Sequence, residues 1–312
     1  MSIHENLTTF QGKNVEDFDP DQPLGDPRTV AYRIRLEWDE GNAGTKWVDK
    51  FAQLLEKPDS GKVESLVIGA WEEVGGGTDS ASIVEALAAA RDDLPGLKHL
   101  FFGDITSEES EISWIMQTDL SPIFEAHRQL EYVTIRGGGG LALGRVRHER
   151  LRELIIQSGG LPPQAIHDVL ASDLPALEHL ELWLGEPNYG GSATAEDLAP
   201  LLGGEQFPKL KYLGLKDSVI ADELAGVLAN SPILERLDVL DISMGTLGDE
   251  GARALLASSQ ISKLKKLDVH HHFISDELVA KLQSLGIDVD ASDKQKPSEW
   301  RGEQHRFIAV SE

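Results

Sequence analysis

Eight times along the chain, an apolar residue is followed three and five positions later by two more. The copies read Val63-Leu66-Ile68, Leu97-Leu100-Phe102, Leu130-Val133-Ile135, Leu151-Leu154-Ile156, Leu177-Leu180-Leu182, Leu210-Leu213-Leu215, Leu237-Leu240-Ile242 and Leu264-Leu267-Val269. Their first positions are 34, 33, 21, 26, 33, 27 and 27 residues apart, and weaker copies stand at Ile34-Leu36 and Ile287-Val289. A period of this length marks a chain built from stacked supersecondary units, none of which can bury its apolar faces alone.

A second signal shares the phase of the first. Asp-Glu pairs occur at 222–223, 249–250 and 276–277, each opening a run with helical periodicity. Leu224, Val227 and Leu228 fall on one helical face, as do Leu278 and Leu282. An acidic first turn suits the helix dipole and can accept bonds from the free N–H groups there. Each unit is therefore expected to be a strand followed by a helix. The second and third apolar positions point into the core, and the residues between them point out.

These repeats resemble leucine-rich repeats, and the longer units with the Gly248-Asp249-Glu250-Gly251-Ala252 helix start are similar to the ribonuclease-inhibitor-like subclass. The resemblance implies an α/β leucine-rich-repeat solenoid, curved, with a parallel sheet on the concave face and helices on the convex face. It covers residues 30–290, with 1–29 as an N-terminal cap or hairpin and 291–312 as a C-terminal cap and tail. The segments at 173–185, Leu237–Ser243 and His270–His272 also resemble an uncharacterised family of cytoplasmic bacterial leucine-rich-repeat proteins.

The sequence departs from the repeat consensus where an Asn or Cys would follow the third apolar residue. Those sites hold Trp71, Ile105, Gly138, Gly159, Gly185, Ser218, Gly245 and His272, so no asparagine ladder can join neighbouring turns. The unit at Leu130 is short and carries Gly137–Gly140, which predicts an extended or looped segment in place of a helix. Gly75-Gly76-Gly77 reads as a flexible loop before a helix near 80–92. Residues 291–298 read as a linker, and the strand-like Arg306–Val310 is expected to cover the open last turn.

Composition narrows the function. With 29 Lys+Arg against 53 Asp+Glu and no cysteine, the chain lacks the basic stripe of a phosphate-backbone binder and any thiolate chemistry. The start has neither a basic nor an apolar leader region, and no stretch of about 18 apolar residues spans a membrane. A cytoplasmic location with no nucleic-acid and no membrane partner is the expectation. No Gly-x-Ser-x-Gly or His-Glu-x-x-His motif is present, and no enzyme activity and no cofactor are expected.

The outward positions carry the candidate site. His99, Phe101, Tyr132, Arg136, His179, Trp183, Tyr212, Asp241, Asp268 and His270 are expected to face solvent on the concave sheet and bind a protein or peptide partner. Opposed to this is the plainer reading that aromatics merely suit a sheet surface. The glycine run with Arg145, Arg147, Arg150 and Arg152 matches no phosphate-binding motif and reads as a tight bend with solvated arginines. An alternative function is a ligand- or metal-dependent accessory protein of a bacterial modification or biosynthetic pathway. In that reading His270 and His272 would share a strand face, His271 would point inward, and Asp241 or Asp268 would complete the ligand set. The opposing reading is polar strand-end residues without a metal.

Overall fold

The computed structural model of the chain describes residues 3–71, 77–300 and 302–311. Gly75 and Gly76 lie outside the described residues. The chain forms two compact units, one running to Gln157 and including Ala171–Pro175, the other made of Ser158–Leu170 and Ala176–Ser311. Each is a stack of strand-and-helix repeats, and the fold is an α/β leucine-rich-repeat solenoid.

The first unit begins with an antiparallel pair, β1 (Thr9–Phe10) and β2 (Lys13–Asp17), joined through a turn at Gln11-Gly12. From β2 onward neighbours are parallel and follow chain order: β3 (Val30–Ile34), β4 (Ser65–Ile68), β5 (His99–Phe102), β6 (Tyr132–Arg136) and β7 (Glu153–Gln157). The helices α1 (Trp38–Asn42), α2 (Trp47–Leu55), α3 (Ala81–Ala89) and α4 (Ser121–Ala126) stand between strands. The second unit holds α5 (Pro163–Ala171), β8 (His179–Gly185), α6 (Ala199–Leu202), β9 (Tyr212–Ser218), α7 (Ala221–Leu228) and β10 (Val239–Asp241). It continues with α8 (Asp249–Ala257), β11 (Lys266–Asp268), α9 (Asp276–Gln283) and β12 (Asp288–Asp290), with β8 to β12 again parallel and in order.

The repeat positions do what their spacing predicts. Leu66, Leu100, Val133 and Leu154 lie level across the first unit, and Leu180, Leu213, Leu240 and Leu267 across the second, all buried. Burying such side chains is worth about 1.5–3 kcal/mol each, which is what holds the layers together. The helices add their own stripe, with Leu224, Leu228, Leu278 and Leu282 buried. Val227, expected on the same face, is exposed, and Ala221 and Ala225 close the gap instead.

The two weak terminal copies are shifted. Tyr32 and Ile34, rather than Ile34 and Leu36, lie level with Leu66 and Ile68, and Val289 lies level with Leu267 as a second position, not a third. A two-residue slip preserves which side chains face out, so the strand pattern tolerates it.

Between β6 and β7 the chain has no helix. Gly137, at φ +102°, passes so close to Ile115 that a Cβ would stand 2.6 Å from its side chain. Gly139 and Ala142 instead form isolated parallel bridges with Met116 and Asp119.

One expectation about the ends is corrected. Arg306–Val310 is not a strand over the last turn. It crosses the end of β9 and the loop after β10, with Ala309 N–H donating to the Met244 carbonyl and Val310 N–H to Asp217. Among the described residues, the strands β13 (Ser298–Trp300) and β14 (Glu303–His305) pair with each other in a separate two-stranded sheet. The N-terminal segment forms an antiparallel hairpin, β1 with β2, at the edge of the sheet, and folds back over the outward side chains of β3 to β5. There Phe10 packs with Ala31, Val67 and Phe101, and Leu7 and Val15 pack around them. No helix among the described residues is long and apolar enough to cross a membrane.

Candidate functional site

In the second unit the parallel register lines the outward side chains up in rows. The first row is His179, Tyr212, Val239, Lys266 and Asp288; the second is Glu181, Gly214, Asp241, Asp268 and Asp290. The second row is a line of carboxylates broken once, by a glycine. A Cβ at Gly214 would sit 3.0 Å from the Glu181 side chain and 3.1 Å from the Tyr212 ring, so the missing side chain makes room for the phenol. The Tyr212 hydroxyl thereby lies 2.6 Å from Asp241 Oδ2 and 3.1 Å from Glu181 Oε2, joining the strands on either side of its own.

Cations hold the rest of the row together. Lys216 Nζ is 3.2 Å from Asp241 and 3.7 Å from Glu181, and it lies 5.9 Å from the centre of the Trp183 ring. Trp183 Nε1 donates to Glu181 Oε1 at 2.6 Å. Lys266 Nζ donates to Asp268 Oδ2 at 2.8 Å, and the His270 ring, 2.7 Å from Oδ1, meets the other oxygen. His179 stacks flat on Tyr212, ring centres 3.8 Å apart.

The electrostatics follow from this crowding. Burial alone would raise the Glu181 carboxyl, but His179, Lys216 and the Trp183 bond bring it down to about 2. Burial and then the two carboxylates push the Tyr212 phenol far up, so it remains a donor. For Lys216, burial works against the charge and the Glu181 and Asp241 carboxylates outweigh it, raising the ammonium. The bond to Asp268 raises the His270 imidazole, while Asp268 itself is lowered, burial being outweighed by His270 and Lys266. The arrangement is a charged, internally paired network capable of presenting the His179–Tyr212 pair, Lys266 and His270 at its surface.

Of the residues expected to face solvent here, His179, Tyr212 and His270 are partly exposed, whereas Trp183 (2 %), Asp241 (3 %) and Asp268 (7 %) are buried. Outward does not mean open, because long neighbours on adjacent strands close over the shorter ones. Sequence reasoning missed Glu181, Lys216 and Lys266 as site residues; the signal that could have found them is an even offset along the strand, two residues from His179, four from Tyr212 and two from Asp268. Asp290 was hidden by the slipped last repeat.

The metal candidates separate. His272 is buried, accepts the Ile274 N–H at Nδ1 and bonds the Ala291 carbonyl through Nε2, so it does not share a face with His270. β11 ends at Asp268, and His271, at φ +54°, breaks the alternation on which that expectation rested. Instead Asp268, His270 and Asp290 bring one ligand atom each within 4.8 Å of one another. Both Asp268 oxygens already have partners, so a cation would have to displace Lys266.

In the first unit His99, Phe101, Tyr132 and Arg136 cluster, with His99 and Tyr132 partly exposed and Phe101 and Arg136 buried. Phe10 stands edge-on to both Phe101 and His99, at 5.9 and 6.4 Å between ring centres, and His99 is edge-on to Tyr132. Phe101 is therefore buried, contrary to the expected open aromatic surface. Arg136 is fully buried, donating to Gln157 Oε1 and the Ile105 carbonyl, both at 2.9 Å, with its guanidinium 5.2 Å from the Phe101 ring centre. It is a tie between loops and not a surface contact. Burial, then Lys13, lowers the His99 imidazole to about 4. Nothing in the repeat pattern pointed to Phe10 or to Asp104, which lie outside it.

No family model and no curated protein matches the chain. Among solved structures, an internalin from Listeria monocytogenes is 13 % identical with a TM-score of 0.37, over 85 % of this chain and 80 % of that one. A crystal structure of a Bacteroides fragilis protein, a structural-genomics target, is 34 % identical with a TM-score of 0.81, covering 89 % of this chain and 76 % of that one. With a third of its residues shared over most of both lengths and the same fold, the chain belongs to the family of that Bacteroides fragilis protein.

Proposed function

We propose that the chain is a non-catalytic recognition scaffold of the ribonuclease-inhibitor-like kind, holding a protein or peptide partner on the outward face of β8 to β11. One observation carries the reading. The His179–Tyr212 stack is partly exposed yet fixed from below by Glu181, Asp241 and Lys216. Aromatic anchors fixed before contact bind at low entropic cost, and such residues dominate interface energetics. Lys266 and His270 flank the stack as charged groups that set partner choice. The carboxylates of this face are engaged within it, Glu181 by Trp183 and Tyr212, Asp241 by Tyr212 and Lys216, and Asp268 by Lys266 and His270, which favours ordering the face for binding over acid–base turnover. A cytoplasmic setting accords with the cysteine-free sequence.

Affinity purification from lysate of the native host, with mass spectrometry, tests this. The wild-type chain is expected to retain a partner that both Tyr212→Ala and His270→Ala lose, with all three proteins melting cooperatively. Retention of the same proteins by all three would overturn the assignment of the site.

A further inference from the structure

The N-terminal segment is held on the first unit as a peptide ligand is held. Asp104, fully buried, accepts the Leu7 N–H at 3.2 Å, and Arg33, itself bonded to Asp104 at 3.0 Å, donates to the Leu7 carbonyl at 3.2 Å. One charged pair thus reads both main-chain groups of one residue. The flanking Asn6 amide donates to the Asp104 carbonyl at 2.9 Å and accepts from Arg35 at 2.7 Å. Three residues after Leu7, the Phe10 ring enters a slot formed by Val67, Phe101 and the His99 edge.

When an extended peptide adds to a sheet, main-chain bonds supply affinity and side-chain pockets supply selectivity, and the Leu7 and Phe10 contacts divide in the same way. The segment's tie to β2 is short: Thr9 pairs with Asn14 and Phe10 with Lys13, and the Val15 N–H donates to the Thr8 carbonyl at 2.9 Å, while at its start the Ser107 N–H donates to the Ile3 carbonyl at 3.0 Å. The turn between β1 and β2 has positive φ at Gln11 and Gly12, and Gly12 has open space around it. Asp104 and Arg33 are already paired, with each other and Arg33 with Asp17, and the main-chain groups of Leu7 add neutral partners to that pair.

The geometry points to a peptide-binding surface on the outward face of β3 to β5, recognising an extended segment of the form Asn-Leu-x-x-Phe. The chain's own residues 3–10 are its resident occupant, and a partner segment of the same chemistry takes their place. This surface is separate from the one assigned above and does not depend on it.

A fluorescently labelled synthetic peptide of residues 3–12 serves as probe against the full-length protein. Phe10→Ala in the protein weakens the resident segment, so the probe is expected to bind that variant saturably and at least about tenfold more tightly than wild type. A probe carrying alanine in place of its own Asn and Phe should not bind. A Phe10→Ala protein that melts cooperatively yet binds no probe overturns the proposal. Hydrogen exchange of the wild-type protein gives a second readout, independent of that variant's folding. The Leu7 amide should exchange at least about a hundredfold faster than that of Phe102 in β5, and equal rates would show that the segment leaves only on global unfolding, which refutes the proposal.

Discussion

Asp222 accepts the N–H of Gly251, 29 residues further along, at 2.8 Å, and the same oxygen accepts the N–H of Gly248 at 2.8 Å. Those are free donors at the start of α8, so the acidic residue in the first turn of α7 caps the next helix and not its own. Asp249 repeats the device, taking the Ser275 N–H at the start of α9 at 2.7 Å. None of the three helices has a side-chain cap bond from its own N-cap residue. Two of the three Asp-Glu pairs therefore tie one repeat to the next, Asp222 to α8 and Asp249 to α9, whereas Asp276 pairs with Lys294.

Asp222→Ala should cost about 1–3 kcal/mol, because it strands two backbone donors and removes the Arg306 partner as well. Asp249→Ala, which strands one, should cost less. Urea unfolding of the two variants against wild type measures both, and an Asp222→Ala midpoint equal to wild type would sink the tie to α8.

Gly185 and Gly226 make an opposed pair. A Cβ at Gly185 would stand 1.9 Å from the Gly159 carbonyl oxygen, and its φ is +68°. Gly226, inside α7, has nothing within 4 Å of that position. Gly185→Ala should destabilise by about 1–3 kcal/mol from backbone strain, with the clash added. Gly226→Ala should be neutral or stabilise by about 0.5–1 kcal/mol. Thermal melts decide; an unchanged midpoint for Gly185→Ala would mean that the backbones can separate freely there.

Much of this was legible in the sequence, for a physical reason. Inward leucines recur because each strand must bury the same two positions, so their register could be read from Leu66 to Leu267 without a structure. The face opposite obeys no such repetition. Tyr212 reaches between Glu181 and Asp241 only because Gly214 is missing a side chain, a relation across three strands that no single repeat displays. Asp104 meets Leu7, and Phe101 meets Phe10, through a fold-back of the N-terminal segment, whose sequence carries no periodic signal. The slipped Tyr32–Ile34 copy shows the limit within the repeat itself, since a polar-tipped Tyr fills an apolar position.

Buried histidines share the bridging work and make stability depend on pH. His127 Nε2 bonds the Leu87 carbonyl at 2.8 Å, and His148 Nε2 the His127 carbonyl at 3.2 Å while its Nδ1 accepts the Leu151 N–H. Burial lowers His99, His127, His148 and His272 below the usual 6.5, His99 to about 4. Lowered in the folded state, these groups contribute stability that is full above about pH 6.5 and lost as pH falls toward their folded values. The lowered carboxylates Glu181 and Asp268 keep their contribution throughout that window, losing it only below about pH 4.5. His270, raised by Asp268, runs the other way, its contribution full below 6.5 and lost as pH rises through its folded value. Burial also raises the Asp217 carboxyl well above the usual carboxylate range, and its contribution likewise falls as pH rises. The comparison that decides is therefore between variants: His148→Gln should lose less stability than wild type between pH 7 and 5, and an equal loss in urea midpoint would contradict a neutral, bridging imidazole.

Tyr212 separates the hydroxyl from the ring. Tyr212→Phe keeps the His179 stack but leaves Glu181 and Asp241 without their shared donor, at a cost of about 1–3 kcal/mol. Asp241 is not orphaned, because it retains Lys216 at 3.2 Å and the Ser243 N–H at 3.0 Å, which places the expected loss in the lower part of that range. Tyr212→Ala removes the ring as well and should lose about 0.5–1.5 kcal/mol more from the aromatic pair alone. Gly214→Ala, which crowds the ring from beneath, should resemble Tyr212→Phe in stability while retaining the hydroxyl. Denaturant unfolding of the three variants orders them, with Tyr212→Ala the least stable. Were Tyr212→Phe as stable as wild type, the hydroxyl would be held by the two carboxylates without holding them in return, and the network beneath the exposed stack would owe its order to Lys216 and Trp183 alone.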